Sequence, residues 1–118
     1  MVTVAIDFDG VLNTYDGWAG DEELFEPRRG AGLFLAKLNE KYDVIIFTVR
    51  KPVYVWNWLL KYKLSEYVYK VTNEKPRAFV YVDDRGLKFD GDYDKTLKDI
   101  DTFTTFWEPD SIEFVDSD

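Results

Sequence analysis

The chain has 118 residues, 46% of them hydrophobic and 18% aromatic, which is enough to fill one core and predicts a single domain over 1–118. Its formal charge is −8, so an extended nucleic-acid duplex would meet a like-charged surface and extended binding to it is not expected. With no cysteine and no histidine, disulfide scaffolds, Cys/His zinc sites, Ser-His-Asp triads and Cys-His dyads are excluded, and any catalysis falls to carboxylates, Lys, Arg, Tyr, hydroxyls or an oxygen-held metal.

Met1 to Ile6 lead straight into a patterned strand without a basic leader or a cleavage site, and no apolar run approaches the roughly 20 residues of a membrane span. The expectation is a cytoplasmic protein with no membrane partner. Arg28, Arg29, Arg50, Lys51 and Arg85 are the residues from which folding could still assemble a local basic pocket.

Val2 to Ile6 reads as a β-strand that presents Asp7 at its end, with Gly10 permitting a tight turn. From Asn13 to Gly32 there is no clean period, and five residues of Gly or Pro type punctuate a long loop or flap. Ala31, Phe34, Leu35 and Leu38 recur at helical spacing, which predicts an amphipathic helix of about three turns over 31–42. Gly30-Ala31-Gly32 begins like a dinucleotide fingerprint, but no third glycine follows and no strand precedes it, so it reads as a loop entering that helix.

Val44-Ile45-Ile46-Phe47 is a continuous apolar run of the kind buried on both faces, and it ends in Thr48. Pro52 suits the first turn of a helix with Trp56, Leu59 and Leu60 on one face. Tyr67 to Val71 predicts a third, shorter strand, and Phe79 to Val82 a fourth that runs into Asp83-Asp84. The remainder is less legible, apart from a short acidic terminus at 116–118. Strands alternating with helices predict an α/β fold: a Rossmann-like, doubly wound domain whose mostly parallel sheet is flanked by helices. In such sheets ligands bind at the carboxyl ends of the strands, and here three strands end in Asp7, Thr48 and Asp83-Asp84.

The segment Asp7-Phe8-Asp9-Gly10-Val11-Leu12 resembles motif I of the haloacid dehalogenase superfamily. The resemblance continues in order, with Thr48 similar to motif II, Lys75 to motif III and Asp83-Asp84 to motif IV. It implies a hydrolase, specifically a phosphatase of phosphate monoesters, in which Asp7 is the nucleophile and forms an aspartyl-phosphate. Asp9 would protonate the leaving oxygen and then deprotonate water, Thr48 would hydrogen-bond the phosphoryl oxygens, and Lys75 would neutralise charge. A magnesium ion (Mg2+) would be held by Asp7, the Asp9 carbonyl, Asp83 and Asp84, with Asp84 favoured over Asp83 as the direct ligand. Arg50 and Arg85 are candidate substrate contacts or salt-bridge partners. Trp18 is the one tryptophan in the loop after motif I, and so a candidate for stacking on a substrate.

Charge arithmetic leads to the same cation independently. Four carboxylates converging within about 5 Å would repel by about 3 kcal/mol per pair at an effective dielectric near 20, and all-oxygen ligands favour a hard ion such as magnesium. Neither the 35 residues between Leu12 and Thr48 nor the 26 between Thr48 and Lys75 can hold a folded cap, so the resemblance is to cap-less members. Many of these act on large phosphorylated substrates, including phosphorylated nucleic-acid ends and phosphoproteins. A phosphorylation-receiver domain shares the residue types, but it carries its acidic pair after the first strand and its acceptor Asp later, the reverse of the order here. A catalytically silent module that keeps the phosphate and metal site is the other alternative, and the intact Asp7 and Asp9 argue against it.

Overall fold

The computed structural model describes residues 2–74, 80–83 and 87–106. Five strands form one sheet: β1 (Val2–Asp7), β2 (Tyr42–Phe47), β3 (Lys70–Thr72), β4 (Val80–Asp83) and β5 (Leu87–Lys88), in the order β3-β2-β1-β4-β5. Every neighbouring pair is parallel. Three helices accompany them, α1 (Ala31–Asn39), α2 (Pro52–Lys61) and α3 (Tyr93–Phe106), with a 3-10 turn at Ser65–Tyr67. The expected α/β class with a parallel sheet is what forms.

The strand order fixes where a ligand can bind. From β1 the chain steps outward through β2 to β3, then continues on the other side of β1 with β4 and β5. The boundary between β1 and β4 is therefore a topological switch point, the position at which open parallel sheets leave a crevice beyond the strand ends. Ile6 is in register with Val82 and Asp7 with Phe47.

Val4, Ile6, Val44 and Ile46 belong to a hydrophobic cluster that also takes Phe34, Leu35 and Leu38 of α1, Val55, Trp58 and Leu59 of α2, and Ile100 of α3. Alternation along the strands puts Ala5 and Ile45 on the opposite face. They are buried as well but lie outside the cluster. Helices on both faces were expected, whereas all three described helices contribute to one core.

Local chemistry explains the element ends. Gly30 caps α1 at φ 90°, a left-handed conformation that glycine adopts freely, and a Cβ there would meet the Tyr93 ring at 3.3 Å. The helix ends at Asn39, earlier than the sequence suggests, because β2 begins at Tyr42. Helix α2 has Pro52 at its start as predicted, but Val55, Trp58 and Leu59 form its buried face, and Leu60 is exposed. Lys61 lies in its last turn and Lys63 has φ 60°. The third strand is shorter than expected because the 3-10 turn takes Tyr67. Among the described residues no helix is long and apolar enough to cross a membrane.

Helix α3 was not visible in the sequence. Asp92 caps it, its Oδ1 accepting from Lys95 N–H at 3.1 Å, and the helix packs beside α1. Tyr93 stacks between Phe34 and Phe89, at 4.5 and 4.8 Å between ring centroids, and its hydroxyl donates to the Val11 carbonyl. Burial pushes the Tyr93 phenol up to about 12. Its ordinary value is near 10, so the folded protein holds the proton more tightly than the unfolded chain does. That contribution to stability is complete below about pH 10 and is lost as the pH rises toward 12. Urea midpoints measured between pH 9 and 12 should fall less steeply for Tyr93→Phe than for the wild type, from a starting stability about 1 kcal/mol lower. Parallel alkaline slopes for the two proteins would exclude Tyr93 as the titrating group.

Candidate active site

Asp7 is the last residue of β1, and its Oδ1 accepts the N–H of Phe8 at 3.0 Å. The chain then turns sharply. Phe8 N–H donates to Phe47 O at 3.2 Å, and both Val11 and Leu12 donate to Phe8 O. Gly10 sits in this turn at φ 84°. Phe8 and Leu12 are fully buried and anchor the turn in the core, so the carboxylates of Asp7 and Asp9 are carried by a fixed stretch of backbone.

Asp9 is held more firmly than the sequence foretold. Arg50 Nε donates to its Oδ1 and Oδ2 at 3.2 and 3.0 Å, and Asn13 Nδ2 donates to Oδ1 at 3.0 Å. Asn13 is completely buried; its Oδ1 accepts from Gly10 N–H at 2.8 Å and its Nδ2 also reaches Leu24 O at 2.8 Å. The side chain of Asp9 keeps 18% of its surface exposed.

Thr48 follows β2 directly and is buried. Its N–H donates to Thr72 O, and its Oγ1 accepts the N–H of Arg50, both at 3.0 Å. The hydroxyl proton is left to point elsewhere. Arg50, weighed from sequence as a substrate contact or a surface salt bridge, is in fact the largest fully buried side chain among the described residues. Its partner Asp9 is the reason: a guanidinium enters a core only where charge and hydrogen bonds compensate its lost hydration. Its Nη2 is buried with no hydrogen-bond partner, so a substrate contact is confined to that one donor.

The flap closes on itself. Asn13 and Pro27 form an isolated antiparallel bridge, Thr14 N–H donates to Glu26 O, and Arg28 N–H to Leu12 O, both at 2.8 Å. Trp58 Nε1 donates to Phe25 O at 2.8 Å. The Tyr54 hydroxyl donates to Glu22 Oε1 at 3.0 Å, and that bond with the carboxylate charge raises the phenol above its ordinary value. Trp18 is 56% exposed and covers the Arg50 guanidinium, 4.6 Å from ring centroid to carbon. Trp58 belongs to the core, and Trp56 packs half-buried against it.

Among the described residues the basic side chains do not gather into one pocket. Arg28 and Arg29 line a cleft of about 600 Å³ with Thr14, Tyr15, Asp16 and Gly91, and Arg28 Nη1 lies 3.4 Å from the Gly10 carbonyl. Lys51 lines another cleft with Ala19 to Glu23 and Tyr54, while Arg50 is committed to Asp9. Lys75, Asp84, Arg85 and Trp107 lie outside the described residues, and of Asp83 only the backbone, at the end of β4, is described. Among the described residues no group of three metal-capable side chains forms. The donors at the crevice are oxygens, the type that suits a hard divalent cation. Asn13 is the site residue that sequence reasoning missed. Its one sequence signal is its place four residues after Asp9, a short polar side chain that can turn back onto the preceding loop.

Searches of protein families and of curated proteins return no match to this chain.

Proposed function

We propose that this protein is a magnesium-dependent phosphomonoesterase of the cap-less haloacid dehalogenase type, with a Rossmann-like domain. The observation that carries the reading is positional. Asp7 ends β1, Thr48 follows its neighbour β2, and Asp83 ends its other neighbour β4, so the three residues stand at the same end of adjacent parallel strands, beside the switch point.

On this reading Asp7 attacks the phosphorus of the ester, and the bond to the leaving oxygen breaks as that oxygen takes a proton from Asp9. Water then attacks the aspartyl-phosphate, gives its proton to Asp9, and inorganic phosphate leaves with Asp7 restored. The Thr48 hydroxyl and Lys75 bind the phosphoryl oxygens. Asp7, the Asp9 carbonyl, Asp83 and Asp84 are the residues that would hold magnesium, whose charge offsets that of the carboxylates and the phosphate.

Between Leu12 and α1 the described chain is a flap with no helix of its own, too small to enclose a substrate as a cap would. A large phosphorylated substrate can reach past the phosphate to Trp18, Arg28 and Arg29. The test is p-nitrophenyl phosphate hydrolysis with magnesium, with excess chelator, and with magnesium restored. Activity should disappear with chelator and return with the metal. Full activity in chelator would refute the metal-dependent mechanism.

A further inference from the structure

Both groups that hold the Asp9 carboxylate use their other donors to hold the flap. Arg50 Nε serves Asp9, while Nη1 donates to the carbonyls of Gly20 and Asp21 at 2.9 and 3.0 Å. Asn13 Nδ2 serves Asp9 and Leu24 O together. A guanidinium is planar, with donors fixed relative to one another, so Arg50 cannot follow a moving flap and keep its contact with Asp9.

The way the guanidinium is seated shows that the flap sets its position. An arginine free to dock on a carboxylate takes it with two parallel bonds. Here Nε alone spans both oxygens, and Nη2 is left buried and unpartnered. That is the arrangement expected when the flap carbonyls and the Trp18 ring, as well as Asp9, dictate where the group lies.

We propose that Arg50 and Asn13 form a latch that couples seating of the flap over residues 18–25 to the placement of the Asp9 carboxylate. With the flap seated, Asp9 is held by both side chains. When the flap lifts, the donors that aim it are withdrawn. Arg50 and Asn13 are thus positioning residues for acid-base transfer, and this catalytic half rests on the phosphatase reading, whereas the mechanical half does not.

Amide hydrogen exchange on the full chain tests the mechanical half. Asp9→Ala removes the acceptor that Arg50 and Asn13 share, and it should speed exchange at Thr14, Glu23 and Arg28 by about tenfold, leaving the β1–β2 amides unchanged. Should Asp9→Ala fail to fold, Asn13→Ser takes its place with the same expectation. Unchanged flap exchange in the folded variant overturns the latch.

Arg50→Lys, which keeps the charge but not the fork, tests the catalytic half. Its kcat should fall at least about tenfold more for an alkyl phosphate than for p-nitrophenyl phosphate, whose leaving group needs little protonation, with KM within about twofold of wild type. In an Asp9→Asn background Arg50→Lys should cost nothing further, because coupled residues are not additive. Additive losses with a raised KM would mean that Arg50 binds substrate directly and would overturn the positioning role. A wild type that hydrolyses neither ester would refute the phosphatase reading alone, with the exchange rates still deciding for or against the latch.

Discussion

Asp7→Asn is expected to lower hydrolysis of p-nitrophenyl phosphate by about four to six orders of magnitude, the scale on which removing a nucleophile acts, without unfolding the protein. An amide oxygen is neutral and forms no stable acyl phosphate. Its shape is nevertheless close to that of the carboxylate, and the Asn oxygen can still accept the Phe8 N–H that Asp7 Oδ1 now takes at 3.0 Å. The structural role of position 7 should therefore survive while the chemical role is lost. Phosphate release, circular dichroism and a thermal melt on the same preparation separate the two. Undiminished release from a folded Asp7→Asn protein would remove Asp7 from the mechanism.

Asp7, Thr48 and the central strands were legible in the sequence because a strand buried on both faces leaves an unbroken apolar run, and the polar residue that ends it stands out. Pro52 marked α2 for a similar reason, since its missing N–H costs nothing in the first turn. Helix α3 was hidden because Asp, Lys and Thr make up most of it and its apolar residues, Tyr93, Leu97, Ile100, Phe103 and Phe106, are spread thinly among them. The burial of Arg50 was hidden for a different reason. A charged residue three positions beyond a strand reads as solvent-facing, and only the three-dimensional return of the flap, with its carbonyls at Gly20 and Asp21, makes a place for it. Asn13 was read merely as the start of the loop, because its partners Asp9, Gly10 and Leu24 meet it only once the flap has closed.

Trp58→Ala should be the most destabilising single truncation on the helix side of the core. The indole is almost wholly buried. It meets Phe8 edge-on at 4.9 Å and Tyr62 at 5.1 Å between ring centroids, and it is tied to the flap through Phe25 O. Removing so large a side chain from a packed site costs about 3–5 kcal/mol, a large part of the roughly 5–15 kcal/mol that holds a domain together. Because Phe8 directly follows Asp7, the cavity opens beneath the turn that carries the Asp7 and Asp9 carboxylates. Trp58→Phe isolates the polar part of the effect. It keeps most of the ring contact but removes the donor to Phe25, a residue held at φ 61°, and should cost about 1–3 kcal/mol through the unpaired carbonyl. Urea denaturation of the three proteins gives both differences. If Trp58→Phe proves as damaging as Trp58→Ala, the indole N–H bond to the flap outweighs the packing; if both are near wild type, Trp58 is not the keystone between the core and the flap.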